Sequence, residues 1–226
     1  MTKKLNVPLV DFENQDMDTA LELGGARFDV DQVNWPETFP YAPICSGRIA
    51  RTEDSLVVDF RVSGLDLRVQ STEDNGRQWE DSCVEVFIED PDGSCYYNFE
   101  INALGKVLAA TGADRHNRQF RPEEEMKEIL RFAQNDCLAQ DDGGSNCHPE
   151  EAKPTKDLEG LHSWRVCVVI PFWLIGIDAD KLPALIRANF YKCGDKTAHP
   201  HFLSWSPVST EKPDFHRPEF FGELYL

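Results

Sequence analysis

Apolar and polar residues alternate along several short stretches of this chain, and a two-residue period of this kind is typical of β-strands. Residues 83–89 place three apolar side chains on one side of such a strand and Glu85 on the other. Residues 96–102 repeat the pattern, and the intervening EDPDGS has the aspartate, proline and glycine content of a turn. The pattern therefore predicts two antiparallel strands joined by a short connection.

Similar segments recur along the whole chain. The further predicted strands are residues 55–62, 106–110, 163–170, 184–192, 202–205 and 222–226, with a short helix or turn at 171–177. Many short strands with turns between them indicate an all-β protein. We predict an antiparallel β-sandwich, jelly-roll-like, in which residues 1–226 form a single domain. Trp164, Trp173 and Trp205 are expected to pack in its core.

One segment interrupts this pattern. Residues 121–136 read as a helix, with Pro122 near the first position and three glutamates near the positive end of the helix dipole. The residues that follow are rich in turn formers. Residues 121–160 are therefore expected to be an insertion within the domain, a surface loop with a short helix, and a functional lid is the alternative.

Charge and leader sequence restrict the partners and the compartment. The chain has 23 Lys and Arg against 40 Asp and Glu, a formal net charge of −17, which argues against nucleic acid or an anionic membrane as a partner. The N-terminal sequence lacks the apolar region of a signal peptide, and the seven cysteines form no C-x-x-C pair. We expect a monomer in the cytoplasm, or a secreted protein if a leader has been trimmed from the chain.

The predicted strands carry a row of polar side chains opposite their apolar side. Pairing within the first hairpin would bring together Glu85, Asn98, Glu100 and Asn102. Arg187 and Asn189 project in the same way from residues 184–192, and Trp79 precedes the hairpin. Such groups suit sugars, whose hydroxyls both donate and accept hydrogen bonds and whose C–H faces pack on indole rings. The alternative is an ordinary solvated sheet face.

Several motifs resemble those of the family 9 carbohydrate-binding modules, most closely the family 9-like proteins of Bacteroides-type bacteria. The motifs are WEDSCVEVFIED, YYNFEINALG, NFYKCG with PHFLSWSP, and the closing PDFHRPEFFGELYL. The resemblance implies a β-sandwich that holds sugar ends in a slot between two tryptophans, with acidic and amide groups on the hydroxyls. By motif position, Trp79 is similar to one wall of that slot, and Trp35 is a candidate for the other.

The resemblance also assigns polar residues, with one departure. Glu85 and Asn102 match polar residues of the family slot, whereas Glu100 stands where the better-known modules carry arginine. Arg187 or Arg61 is a hypothetical replacement for that cation. The predicted ligand-binding set is Trp35, Trp79, Glu85, Asn98, Glu100, Asn102, Arg187 and Asn189.

No catalytic residue and no metal site is predicted, and no cofactor. His199, His201 and His216 are weak candidates for a transition metal, because Pro200 disfavours a regular strand between the first two. Family 9 modules contain structural calcium. The acidic turn at residues 89–94 has the oxygen ligands that calcium prefers, so a structural calcium ion there stays an open alternative.

Non-catalytic binding of a mono- or oligosaccharide is the predicted function. The alternative is a glycoside hydrolase or lyase on the same scaffold, with Glu85 and Glu100 as acid and base. A haem domain is disfavoured, because none of the methionines Met1, Met17 and Met126 lies on a predicted core strand.

Overall fold

The computed structural model of the protein describes residues 2–12, 15–135 and 155–226. Its strands are β1 Lys4–Asn6, β2 Ala26–Asp29, β3 Gln32–Val33, β4 Ile44–Arg51, β5 Ser55–Val69, β6 Cys83–Glu89, β7 Tyr96–Asn102, β8 Val107–Gly112, β9 Arg118–Phe120, β10 Leu130–Asn135, β11 Thr155–Pro171, β12 Leu185–Cys193, β13 Phe202–Ser204 and β14 Gly222–Tyr225. The helices are α1 Met17–Gly24 and α2 Glu123–Met126, with 3-10 turns at Gln78–Glu80, Phe172–Ile175, Ala179–Lys181 and Pro218–Phe220. Within these residues, no helix combines the length and the apolar character needed to cross a membrane.

Two sheets pack face to face, and the predicted all-β sandwich is confirmed. The larger sheet has the order β1-β14-β12-β6-β7-β8-β9, and β13 joins it beside β12 and pairs with β3. The smaller sheet has the order β10-β11-β5-β4-β2. Apart from the parallel pair of β1 and β14, the neighbouring strands are antiparallel.

The main core lies between the sheets and is formed by the apolar side of each strand. Val84, Val86 and Ile88 of β6 point into it, as the two-residue period predicts. The rings of Phe190 in the larger sheet and Phe28 in the smaller sheet stack at a centroid distance of 4.3 Å. The opposite side of β6 and of its neighbours is consequently the outer face of the larger sheet.

Both outer faces are covered. Helix α1, which begins after the N-cap Asp16, places Leu21 on the outer face of the smaller sheet. The outer face of the larger sheet lies under an irregular stretch, residues 205–221, which we call the cover segment. The larger sheet and the cover segment together enclose a second apolar cluster: Trp35, Cys83, Phe87, Tyr96, Tyr191, Cys193, Val208, Phe215 and Phe221.

This cover differs from the open polar face that the sequence pattern suggests. Phe87, Tyr96 and Tyr191 have the same side-chain parity as the predicted polar set, so they leave a broad aromatic surface on that side. Burying such a surface is favourable, and the chain after β13 folds back to do so. The polar residues on this face are therefore buried as well.

Residues 121–136 do not form the predicted continuous helix. Helix α2 ends at Met126, and β10 follows as an edge strand of the smaller sheet, paired with β11. The glutamates favour a helix start, but Ile129 and Ala133 become buried in the sandwich instead. Packing against the sheet thus overrides local propensity. The prediction for residues 136–154 lies outside the described residues.

The three tryptophans expected in the core divide into two groups. Trp164 and Trp205 are each 4% exposed and pack in the main core, whereas Trp173 is 55% exposed. Trp173 lies on the 3-10 turn Phe172–Ile175, whose other three residues face inwards. It is a solvent-facing tryptophan.

Candidate functional site

A cavity opens on the outer face of the larger sheet, at the edge of the cover segment. Its empty volume is about 540 Å³, open space at the mouth included. The wall is formed by residues from seven parts of the chain: Trp79, Glu85, Glu100, Arg115, Arg118, Cys193, Asp195, Phe202, Pro213, Asp214, Phe215 and His216. Acids, guanidinium groups and aromatic rings therefore converge at one place.

Two glutamates form the buried part of this wall. Glu85 of β6 and Glu100 of β7 are direct partners in the antiparallel register, and both side chains project to the outer face. They are 4% and 2% exposed. The hairpin through residues 90–95 fixes this register, and its tight turn uses Gly93 with a φ of 73°.

Glu100 is held in place by two donors. Its Oε1 accepts hydrogen bonds from Arg118 Nη1 and from Asn98 Nδ2, each at 3.0 Å. Its Oε2 is buried and has no hydrogen-bond partner among the described residues. Burial raises the pKa of Glu100, and the guanidinium of Arg118 opposes that shift. The contact with Arg118 therefore favours the ionised form of Glu100.

Glu85 has no such cation in contact. Its Oε1 accepts a hydrogen bond from the Cys193 thiol, with Sγ at 3.0 Å. Burial raises the pKa of Glu85 well above its ordinary value, and the charge on Glu100 adds to this shift. Of the two carboxyl groups, Glu85 is consequently the one that more readily holds a proton.

Trp79 and Asp195 stand together on one side of the cavity. Trp79 lies on the 3-10 turn Gln78–Glu80, and the backbone N–H of Asp195 donates to the Trp79 carbonyl at 3.1 Å. Burial and the charge of Glu100 raise the pKa of Asp195 to about 6. The position of this wall thus depends on the turn after β12.

The cover segment supplies the opposite side. Tyr191 donates its hydroxyl hydrogen to the Phe215 carbonyl at 3.1 Å, and the two rings stack at 4.1 Å. His216 Nδ1 lies 2.7 Å from the hydroxyl of Tyr96. Burial lowers the pKa of His216 to about 3, with the positive charge of Arg118 as the next cause. The imidazole at the cavity wall is therefore neutral.

The structure brings three of the eight sequence-predicted residues into the cavity wall: Trp79, Glu85 and Glu100. Asn98 lies beside them and acts on Glu100 through the hydrogen bond described above. Trp35 is 8% exposed and lies behind the wall, where its ring contacts Phe202 and Phe215. Its Nε1 donates to the Thr210 carbonyl at 2.8 Å, which anchors the cover segment.

Asn102 stabilises a turn and is outside the cavity wall. Its Nδ2 donates to the Ser71 carbonyl at 2.7 Å and to Asp81 Oδ2 at 3.2 Å. Its Oδ1 accepts from the backbone N–H groups of Leu104 and Lys106 at 3.1 and 3.0 Å. Both donors and both acceptors of the Asn102 side chain are thus engaged within the protein, where they shape the connection from β7 to β8. The asparagine of the family motif has a structural use here.

Asn189 and Arg187 are also placed away from the cavity, where they hold the cover segment. Asn189 Nδ2 donates to the Ser206 carbonyl at 3.0 Å, and its Oδ1 accepts from the Ser206 N–H at 2.8 Å. Arg187 pairs with Glu89 at 3.1 Å and donates to the Pro218 carbonyl at 2.7 Å. Both side chains fasten the cover segment to β12.

The cation that accompanies Glu100 differs from either sequence-based hypothesis. Arg187 is engaged with Glu89, and Arg61 belongs to the smaller sheet, where it pairs with Glu22 and Asp59. Arg118, at the start of β9, provides the ion pair instead. The hypothesis that Arg187 of β12 or Arg61 of β5 supplies this cation is therefore wrong.

Sequence reasoning missed the parts of the wall that come from irregular segments. Arg115 and Arg118 lie in or next to the connection before β9, and Asp195 lies in the turn after β12. Pro213, Asp214 and His216 belong to the closing motif PDFHRPEF, which carried the family resemblance. That motif was the one available signal, because strand parity says nothing about loops.

The described residues bring one set of three metal-ligating side chains close together. Cys83, Glu85 and Cys193 have ligand atoms that all lie within 4.8 Å of one another. The histidines considered above do not join this group, since His216 contacts Tyr96 and His201 Nε2 accepts from buried Lys192 at 2.8 Å. In the turn 89–94, the side chains of Asp90 and Asp92 accept hydrogen bonds from nearby N–H and hydroxyl groups.

Comparison with known proteins gives a family match over most of the chain. The family model for carbohydrate-binding family 9 matches residues 16–226. The crystal structure of a candidate carbohydrate-binding protein from Bacteroides uniformis is similar over 100% of this chain and 99% of that chain, with 33% sequence identity and a TM-score of 0.86. No curated protein sequence matches the chain.

More distant solved structures share the fold. A family 9 carbohydrate-binding module from Caldicellulosiruptor kristjanssonii in complex with glucose gives a TM-score of 0.50 at 11% identity, covering 99% of this chain and 95% of that one. A family 9 carbohydrate-binding module from the same organism in complex with cellotriose gives a TM-score of 0.51 at 10% identity, covering 99% of this chain and 93% of that one. At these identities the likeness concerns the fold alone.

Proposed function

This chain belongs to carbohydrate-binding family 9, and we propose that it binds a mono- or oligosaccharide without catalysing its conversion. The proposed ligand site is the cavity on the outer face of the larger sheet. Glu100, Glu85 and Trp79 are the residues to which we assign sugar contacts. Membership of the family supports a saccharide ligand, and the contacts of these three residues support the location of the site.

The unpartnered oxygen of Glu100 is the observation that carries the assignment. A buried acceptor without a hydrogen bond costs about 1–3 kcal/mol. Glu100 Oε2 is such an acceptor, and the residue lines the cavity. A sugar hydroxyl that hydrogen-bonds to the Glu100 carboxylate at the cavity wall would supply a partner and offset that cost. The carboxylate is already immobilised by Arg118 and Asn98, so little ordering is required on binding.

Glu85 and Trp79 complement this acceptor. A protonated Glu85 offers a hydroxyl donor as well as an acceptor, so the two carboxyl groups together match the dual character of sugar hydroxyls. Trp79 is half-buried, and its ring borders the same space together with Phe202 and Phe215. Aromatic rings provide apolar area for the C–H faces of a pyranose.

The surroundings of the cavity support a ligand longer than one sugar unit. Arg115, Pro213, Asp214 and His216 border both the cavity and a second groove. That groove runs between residues 114–116 and 210–217 and contains charges of both signs. Further sugar units can therefore lie against polar side chains outside the cavity.

The test is a titration of the purified protein with mono- and oligosaccharides, followed by tryptophan fluorescence and calorimetry. We expect saturable binding that is lost or strongly weakened in Trp79→Ala. Trp173→Ala is the matched control, since Trp173 is exposed and outside the cavity wall. Equal affinities in Trp79→Ala and the unaltered protein would overturn the site assignment.

A glycoside-processing enzyme is the second candidate, and the carboxyl pair is the observation that favours it. One protonated and one ionised carboxyl group are the minimum for hydrolysis of a glycosidic bond. Incubation with oligosaccharides and analysis of the products separates the two functions. Product formation that disappears in Glu85→Gln would replace the binding proposal with the enzymatic one, whereas binding without products supports the former.

A further inference from the structure

We propose that Cys83, Cys193 and Glu85 form a binding site for a thiophilic divalent cation, with Zn²⁺ as the expected ion. The three side chains lie on the outer face of the larger sheet, next to the proposed sugar cavity. This inference goes beyond carbohydrate binding and does not depend on it, although Glu85 belongs to both proposed sites and would release its proton when the cation binds. The three ligands lie on strands that are remote in sequence, so the site does not require a C-x-x-C pair.

The backbone register brings the ligand atoms together. Cys83 and Cys193 are direct partners across β6 and β12, and Glu85 follows Cys83 on the same side of β6. Cys193 Sγ lies 3.0 Å from Glu85 Oε1, and the three ligand atoms are within 4.8 Å of one another. Zn–S bonds of about 2.3 Å and Zn–O bonds of about 2.0–2.2 Å need ligand atoms at roughly these mutual separations. Small side-chain rotations suffice to complete such a site.

The burial of the cluster favours an ion that neutralises its ligands. All three side chains are nearly fully buried, at 0%, 1% and 4% exposure for Cys83, Cys193 and Glu85. Buried thiolates and carboxylates are costly unless a positive charge lies beside them. A divalent cation compensates the negative charge of two thiolates and one carboxylate, and their protons are released to solvent.

Neighbouring acids add negative charge beside the cluster. Glu100 is the cross-strand partner of Glu85, and Asp195 lines the same cavity. The positive groups around the cluster are Arg115 and Arg118 on the cavity wall, the latter paired with Glu100, and the buried Lys192 next to Cys193 in β12. Thiolate ligands select zinc over calcium or magnesium, which prefer oxygen.

The site has an entry path and an open position. Glu85 and Cys193 both line the cavity, whereas Cys83 lies beneath them. Three protein ligands leave the fourth tetrahedral position to water, to Asp195 or to a ligand in the cavity. The metal would therefore sit at the boundary between the apolar cluster and the cavity.

Cobalt(II) titration of the fully reduced, metal-free protein tests the proposal. We expect one equivalent of Co²⁺ to produce a thiolate-to-cobalt charge-transfer band, and one equivalent of Zn²⁺ to abolish that band with release of protons. The band should be lost in the double variant Cys83→Ser, Cys193→Ser. It should persist in Cys95→Ser and in Cys137→Ser with Cys147→Ser, which serve as controls for thiols outside the cluster. No band in the unaltered protein, or a band that persists in the double variant, would overturn the site.

A second measurement keeps the test valid if the double variant does not fold. X-ray absorption of the zinc-loaded, unaltered protein should show two sulfur ligands at about 2.3 Å and lighter ligands at about 2.0 Å. A zinc shell made of oxygen and nitrogen alone would also overturn the proposal. Sugar titrations of the metal-free protein are read separately, so a negative metal result leaves the proposed function intact.

Discussion

Glu85 and Glu100 face each other across neighbouring antiparallel strands, yet their surroundings differ. Glu100 is paired with Arg118, whereas Glu85 contacts the Cys193 thiol. The strand register therefore places two identical side chains together, and residues from other segments give them different electrostatic surroundings.

Replacing Glu100 by glutamine should weaken sugar binding. The variant Glu100→Gln removes the carboxylate that we assign to a sugar hydroxyl, and it leaves Arg118 without its counter-ion. We expect the affinity to fall about tenfold, which corresponds to about 1.4 kcal/mol. We expect the free energy of unfolding to fall by about 1–3 kcal/mol. Calorimetric titration and urea unfolding measure the two effects.

The matched control for this variant is Glu89→Gln, which removes the partner of Arg187 outside the cavity wall. Its sugar affinity should equal that of the unaltered protein. An unchanged affinity in Glu100→Gln would contradict the assignment of its unpartnered oxygen to the ligand.

Asn102→Ala should affect stability and leave the intrinsic sugar affinity unchanged. The substitution removes four hydrogen bonds that shape the turn between β7 and β8 and leaves buried groups unpaired. The free energy of unfolding should fall by about 2–4 kcal/mol. Asn117→Ala, on an exposed loop, should change it by less than about 1 kcal/mol. A loss of affinity in a folded Asn102→Ala protein would instead support the role that the family motif implies.

Trp35→Phe separates the two tryptophans of the family resemblance. The phenyl ring keeps the aromatic packing but loses the Nε1 hydrogen bond to the Thr210 carbonyl, at a cost of about 1 kcal/mol. We expect the fluorescence change on sugar binding to persist in Trp35→Phe and to be lost in Trp79→Phe. The opposite result would place Trp35 at the ligand.

Stability should fall on acidification because of His216. Its pKa is about 3 in the folded protein and about 6.5 in the unfolded chain, so the unfolded state binds the proton first as the pH falls. This contribution is complete above pH 6.5 and decreases towards pH 3. From pH 7 to pH 5 the loss is about 2 kcal/mol.

The variant His216→Gln should lack that part of the pH dependence, because glutamine does not titrate. His116→Gln replaces an exposed histidine, which is the smallest of the named causes that lower the pKa of His216, so it should retain nearly all of the dependence. Urea unfolding at pH 7 and pH 5 compares the three proteins. Identical slopes in His216→Gln and His116→Gln would refute the assignment.

The fold and the Glu85–Glu100 pair of the candidate site could be predicted from the sequence, because strand periodicity determines both. The parity of Glu85 and Glu100 and their pairing across a short turn follow from a two-residue period and the register that a hairpin imposes. The same parity could not show that Tyr191 and Phe87 would attract a cover and bury the face. Burial depends on what packs above a sheet, which periodicity along one strand does not encode.

The remaining parts of the site depend on long-range contacts. Arg118 reaches Glu100 from another strand, and the thiol of Cys193 meets Cys83 only because β12 pairs with β6. The helix expected over 121–136 failed for a related reason, since pairing with β11 outweighed the local preference of the segment. A single sequence contains no direct signal for such pairings.

The attachment of the cover segment has a consequence for how ligand preference can diverge among related proteins. Three side chains donate hydrogen bonds to main-chain carbonyls of that segment: Tyr191 to Phe215, Trp35 to Thr210 and Arg187 to Pro218. Main-chain anchors tolerate exchange of the side chains beside them. Substitutions at Asp214 or His216 can therefore change the side chains at the cavity rim while the backbone of the cover segment keeps its attachment to the larger sheet.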